Sequence, residues 1–511
     1  MRFDRNILSI TLLVAALAYT LWFVFAGFGN HQDPLYWLYK YEHLEGGWMA
    51  VGTLLTGGAV VRLFGAQLLP LRLFGWLCTV AAIALPYVCL LTKEQRRSNL
   101  HWLALTYVLM GYGAFQEFSP GTLSVLLLAA IWVTVCKDRE NPSSLGLWGT
   151  ALLAGTAVAV RFPNILVFLV LIPLWKKRSL KAVPIAALAA GVVYLLGYVL
   201  VTPAAADAAM NSHDLWSMVE KLWTNSGRLL GYMLLAAGVL YLPWRTKPFV
   251  GWGVGGAIAM FVLYAMKPLQ WYNLDLTYLI AAFCLVIALG TQQRTYVTGV
   301  LVMMVAALGT DTAWLKLFPA LLCILPVAQS SYQDRQVRRY LYEVLMVLCA
   351  VVVVRMTTNS VGQSNLMRAT TVASVSPYKG IAIREAEQEQ LMQYKADYDS
   401  LMNAQTANDQ TVNVLALGQE AHLMRAVTGC EAARYNEFWS NIFDSLYTAK
   451  YREIIEAERP VVFCSFTPQF KTKPTYTDGN SRMEKMLMEE GYTALSRKEH
   501  KYIIYIPDTD D

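Results

Sequence analysis

Few residues in this sequence combine a reactive type with a telling position, and the first of them is an acid. Asp33 stands in His31-Gln32-Asp33-Pro34-Leu35-Tyr36-Trp37, just beyond the apolar run 7–28. An acid fixed outside a span suits a general base that deprotonates an acceptor while a lipid-borne donor lies in the adjacent leaflet. The same residue also reads as a helix cap, because Asp-Pro ahead of Leu-Tyr-Trp-Leu-Tyr fits the N-cap and first helical positions. The two roles are compatible. Glu42 and Glu45, farther along the same connector, read as a solvated face.

Basic residues form the second group. Lys40, Arg62, Arg72, Arg161, Lys221, Arg228 and Lys267 fall at the ends of apolar runs on the side opposite the main basic clusters. Arginine forks and lysine point charges at such positions bind lipid phosphates; the competing reading is snorkelling toward headgroups. Trp216, Trp223, Trp271 and Tyr272 read as interfacial belt residues. The six histidines show no HExxH spacing and the eight cysteines no CxxC, so a divalent metal is possible but unsupported, and no cofactor is required. Cys430 and Cys464 could pair in an oxidising compartment or remain two thiols.

The elements that must position these residues follow from composition. The chain has 511 residues, 56% of them apolar and 15% charged, against about 25% charged in a soluble domain. Of its 78 charged residues, 36 fall in 374–511, so an integral membrane region precedes a water-soluble domain. The soluble part carries net −6 and the rest net +12, which places the positive charge in membrane connectors rather than in a nucleic-acid surface. The expected architecture is a polytopic α-helical membrane protein with a small C-terminal α/β domain, divided as 1–357, a linker 358–373, and 374–511.

Thirteen stretches are apolar enough to cross about 30 Å of hydrocarbon: 7–28, 71–92, 99–116, 121–136, 145–161, 163–175, 180–202, 227–244, 248–266, 271–290, 296–312, 314–329 and 339–357. Clusters such as Lys93/Arg96/Arg97, Lys137/Arg139 and Lys176/Lys177/Arg178/Lys181 recur at alternate connectors, which makes those connectors cytoplasmic and the N-terminus with them. Counting 48–65 as a span would invert this order, so it is read as an amphipathic helix in the outer interface, within a first external loop of 29–70. The run 7–28 is too long for a cleavable signal and reads as a retained span. In the outer domain, helices are expected near 381–404, 446–458 and 481–490. Strands are expected at 411–417, 460–466, 492–497 and 500–506.

The run from Ala59 to Gly75, with Val61-Arg62-Leu63-Phe64-Gly65 and Leu71-Arg72-Leu73-Phe74-Gly75, resembles the interfacial helix and second span of GT-C membrane glycosyltransferases. Val160-Arg161-Phe162-Pro163-Asn164 is similar to their hairpin segment. The resemblance is to the protein O-mannosyltransferase and aminoarabinose-transferase branch and is best over 1–180. Tyr378-Lys379-Gly380 and Gly491-Tyr492 look like the tail of bacterial members. It implies an enzyme of a bacterial inner membrane that transfers a sugar, with inversion, from a polyprenyl-phosphate carrier to an outer-face acceptor. Carried over, the loop acid falls on Asp33 and the phosphate-binding arginines on Arg72 and Arg161, joined by Lys267. Many members begin span four with Pro-Asp; this chain reads Glu117-Phe118-Ser119-Pro120-Gly121, and Glu117 is the acid that would replace it. Two other classes stay open: a flippase or transporter for lipid-linked sugars, and an inactive scaffold whose outer domain binds a partner.

Overall fold

The computed structural model describes residues 5–27, 32–111, 118–203, 231–233, 236, 274–291, 293–307, 313–332, 335–358, 366–406, 413–418, 421–429, 445–465, 485–495 and 502–508. The expected spans 227–244 and 248–266 lie largely outside these residues.

Helices dominate because the apolar runs are rich in Leu, Ala and Val and their polar punctuation falls at the ends. α1 (Arg5–Phe25) leads into α2 (Gln32–His43), α3 (Val51–Phe64) and α4 (Leu68–Leu90). Then come α5 (Lys93–Met110), α6 (Pro120–Glu140), α7 (Ser144–Val160), α8 (Phe168–Trp175) and α9 (Ser179–Leu200). Thr92 starts α5 with a capping box: its hydroxyl accepts from the Gln95 amide while Gln95 accepts from the Thr92 amide. Ser143 caps α7 through the Gly146 amide at 2.9 Å, and Pro120 occupies the first turn of α6. Beyond lie α10 (Leu274–Gly290), α11 (Arg294–Met304), α12 (Ala313–Leu322), α13 (Leu325–Ala328) and α14 (Arg335–Thr358).

Four helical stretches among the described residues are long and apolar enough to cross a membrane: Ile7–Phe25, Leu68–Leu90, Pro120–Glu140 and Phe162–Leu200. The last is interrupted where Lys176 takes a positive φ and the chain turns through Lys176–Arg178. α9 buries only Ala182, Ala186 and Gly197 and exposes Leu180, Leu188, Leu195 and Val199. An apolar helix with an apolar outer face is stable in lipid and not in water, so this is an integral membrane protein.

The helices pack by close backbone approach. A Cβ on Gly155 of α7 would stand 2.1 Å from the Ala186 carbonyl of α9, the small-residue contact typical of membrane helices. α3, expected in the interface, packs along one side on the preceding segment: its Gly57 meets the Tyr41 ring and its Gly58 meets Leu44. Its other face exposes Leu63 and Phe64.

Two ends of the bundle follow from the contacts. At one, Arg178 of the 176–178 turn binds Asp138 at 2.7 Å and Arg139 reaches Thr298; this end gathers the basic clusters. At the other lie α2, α3, the N-terminal ends of α4 and α6, and the turn at 161–167. There β1 (Glu45–Gly46) pairs in parallel with β2 (Thr202–Pro203).

After α14, β3 (Thr371–Val372) pairs antiparallel with β4 (Ala382–Ile383), and α15 (Glu385–Thr406) follows. β5 (Val414–Gly418), α16 (Ala421–Thr428), α17 (Ser445–Glu458), β6 (Val461–Ser465), β7 (Tyr492–Leu495) and β8 (Tyr502–Pro507) complete the chain. The sheet runs β5-β6-β8-β7, with β5 parallel to β6 and the other pairs antiparallel. The strands and the helices expected at 381–404 and 446–458 recur within a few residues; of the helix expected at 481–490 only 485–490 is described, and 485–489 is helical; α16 and the β3–β4 hairpin were not foreseen. A second core joins this part to the bundle end, combining Leu35, Leu71 and Phe118 with Tyr378, Tyr394 and Phe463.

Candidate functional site

Asp33 is the second residue of α2, because the helix begins at Gln32 and so takes the acid into its first turn rather than leaving it as the cap. An acid in a first turn is favoured by the helix dipole. Leu35, Tyr36, Leu38, Lys40 and Tyr41 of α2 are buried, whereas Glu42 and His43 are exposed, as a solvated face requires. Tyr41 donates to the Phe118 carbonyl at 2.9 Å, which ties α2 to the entrance of α6. Glu45 has a partner after all: Tyr39 donates to it at 3.0 Å.

Arg72 lies one turn into α4 and is 1% exposed. Its Nη1 donates to the Gly27 carbonyl at 2.9 Å, at the exit of α1. The Gly27 amide in turn donates to the Ala382 carbonyl at 2.8 Å, and the Leu68 amide to Pro377 at 3.0 Å. Arg72 is therefore the centre of a clasp that joins α1, α4 and the 371–383 strap. A charged donor on a buried carbonyl is among the stronger hydrogen bonds.

Arg161 occupies the break between α7 and the 3-10 turn Phe162–Val167. It is 8% exposed and its Nη1 donates to the Ala306 carbonyl at 3.1 Å. The turn itself is held by Asn164, which donates to Ala157 at 2.8 Å and accepts from Ser124 at 2.9 Å. Thr53 of α3 donates to the Val160 carbonyl at 2.9 Å, so α3 braces the arginine's backbone. Arg161 is thus fixed by three elements brought together from distant parts of the chain.

Asp33, Arg72 and Arg161 all stand in the layer opposite the basic end. Glu117 and Lys267 lie outside the described residues, as do Lys221, Arg228, Trp216, Trp223, Trp271, Tyr272 and Cys430. Arg62 is exposed on α3, where snorkelling accounts for it. Among the described residues no group of three His, Cys, Asp or Glu side chains is placed to hold a metal ion.

Lys40, grouped from sequence with the other basic residues of this face, is buried, its Nζ 4.4 Å from the centroid of the Tyr36 ring. Two residues that sequence reading missed stand beside it: His422 packs edge-on to Tyr36 at 5.5 Å, and Arg425 lies over Tyr39 at 3.1 Å from the ring centroid. Both belong to α16. The available signal was their i, i+3 spacing within Leu423-Met424…Val427, which puts a cationic edge on a short apolar helix.

The chain matches no protein-family model, and no curated protein matches it. Among solved structures it is similar to the crystal structure of ArnT from Cupriavidus metallidurans bound to undecaprenyl phosphate. That likeness has a TM-score of 0.41 at 10% identity and covers 98% of this chain and 97% of that one.

Proposed function

We propose that this chain is a GT-C-like glycosyltransferase of a bacterial inner membrane. It moves a sugar from a polyprenyl-phosphate carrier to an acceptor at the end of the bundle where α2 begins, with inversion at the anomeric carbon. The observation that carries the reading is that Arg72 and Arg161 are buried at the end of the bundle where α2, the helix with Asp33 in its first turn, also lies. Buried charge at such a depth is costly and is kept for a purpose. The motifs around Arg72 and Arg161 support the same reading.

In this mechanism Asp33 takes the proton of the acceptor as its nucleophile attacks the anomeric carbon, and the carrier phosphate leaves as an anion. Arg161, at the break after α7, meets that phosphate, with Lys267 assisting; Arg72, held on the Gly27 carbonyl, sets the ends of α1 and α4 on which the site is built. Glu117, three residues ahead of Pro120 in the sequence, supplies a supporting acid. Positive groups held in place before the reaction stabilise departing charge without reorganisation, and the phosphate needs no metal to leave. The C-terminal part, 374–511, stands on the outer side, with the N-terminus cytoplasmic.

The test is transfer from a panel of polyprenyl-phosphate sugars by the full-length protein in nanodiscs. Asp33→Asn should abolish transfer while polyprenyl phosphate still binds and the thermal midpoint holds; normal transfer by that variant removes the base. A second reading, an inactive scaffold, is favoured by one observation: Arg72 is engaged with the Gly27 carbonyl and is almost inaccessible. It predicts no turnover with any donor. A flippase would instead show counterflow of the lipid-linked sugar in liposomes.

A further inference from the structure

We propose that α16 holds α2, the helix with Asp33 in its first turn, in its working position, and that Arg425 and His422 are the positioning residues of that contact. The inference deepens the glycosyltransferase reading and rests on it for its catalytic consequence.

α2 has 12 residues, a length at which an isolated helix is marginal in water, so its position depends on what packs against it. Its sides are held differently. Tyr41 and Leu44 lie against Gly57 and Gly58 of α3, a contact that belongs to the bundle. Tyr36 and Tyr39 face α16, which belongs to the C-terminal part. α16 directly follows β5 and contributes Leu423, Met424 and Val427 to the core that also contains Val414 and Phe463. The sheet is therefore the anchor from which α16 reaches α2.

The contact surface is specific in chemistry. His422 and Arg425 are 6% and 8% exposed and each sits against an aromatic ring of α2, while Lys40 of α2 itself, 7% exposed, lies over Tyr36 within the helix. Cation–π contacts strengthen when water is excluded, and tyrosine rings lose little entropy on being ordered. Asp33 stands in the first turn of the same 12-residue helix that Tyr36 and Tyr39 tie to α16. A shift of α16 therefore moves the short helix that carries the acid, and the C-terminal part has a direct mechanical hold on the base.

The experiment measures backbone amide exchange in the full-length protein in nanodiscs, with polyprenyl phosphate as the added probe, for wild type, Arg425→Ala, Arg425→Lys, Tyr39→Leu and the Ala/Leu double variant. Arg425→Ala should raise exchange of the amides in 35–43 by about thirtyfold, with α6 and α7 unchanged and polyprenyl phosphate binding retained. Arg425→Lys should restore part of the protection, and the double variant should be no worse than the worse single one. Unchanged exchange in 35–43, or a rise shared equally by α6 and α7, overturns the proposal; if Arg425→Ala does not fold, Tyr39→Leu decides by the same readout. With a donor that wild type turns over, Arg425→Ala should lower kcat about tenfold at unchanged donor KM, and a change in KM alone overturns the catalytic consequence. Absence of wild-type turnover with every donor overturns the glycosyltransferase reading, while the exchange data still decide whether α16 holds α2.

Discussion

Replacing Arg72 with methionine separates the clasp from the chemistry. The side chain is 1% exposed and its Nη1 meets the buried Gly27 carbonyl at 2.9 Å. Methionine keeps most of the apolar stem, so the loss is confined to the polar end. A hydrogen bond from a charged donor contributes about 1.5–3 kcal/mol, and here it also steadies the Gly27 amide bond to Ala382. We expect a local loss of about 2 kcal/mol, which is about a thirtyfold rise in opening of the 371–383 strap. Hydrogen exchange read by mass spectrometry at Gly27, Ala373 and Ile381 measures it, with the thermal midpoint in detergent as the global control. Arg72→Lys keeps the charge and loses the planar fork; it should loosen the strap almost as much while retaining polyprenyl phosphate affinity within a few-fold. Unchanged protection at all three amides in Arg72→Met would refute the clasp.

Three further outcomes are expected. Asp138 is buried and binds both Arg178 and the Ser143 amide; because Arg178 is partly exposed, Asp138→Asn should cost only about 1–2 kcal/mol, read as a lowered thermal midpoint whose difference from wild type shrinks in high salt. Gly155→Ala must push α9 away from α7 and should destabilise by about 1–3 kcal/mol, whereas Gly149→Ala, with open space around it, should stabilise by about 0.5–1 kcal/mol; equal midpoints for the two would refute the close approach. In β7, burial pushes the Tyr492 hydroxyl up to about 12, against the opposing pull of Arg459. The folded state then keeps a proton that the unfolded chain releases near pH 10, so the sheet loses stability as pH rises from about 10 toward 12. A tyrosinate absorbance difference between wild type and Tyr492→Phe should appear only toward the upper part of that range.

How much of this was legible without coordinates depended on the length scale of the signal. Helices α1, α4, α6, α7 and α9 were readable because a run of apolar residues must be helical in lipid, where every backbone polar group needs an internal partner. The strands of the C-terminal sheet were readable because Val461 to Ser465 and Tyr502 to Pro507 are apolar runs between turn residues. The break at Arg161-Phe162-Pro163-Asn164 was readable because proline ends a helix. α16 was not, since an eight-residue helix has too little local preference to stand out and forms against its neighbours.

The local pattern thus decided the membrane region, the order of its helices and the candidacy of Asp33, Arg72 and Arg161. Tertiary structure alone decided what those charges touch. Arg72 meets Gly27 and Arg161 meets Ala306 across 45 and 145 residues of chain, and Tyr36 and Tyr39 meet a helix nearly four hundred positions away. Such partners are selected by packing, and nothing in the residues flanking an arginine specifies which distant carbonyl will lie within 3 Å of it. A buried guanidinium must find an acceptor; which acceptor it finds is set by the helices that close around it.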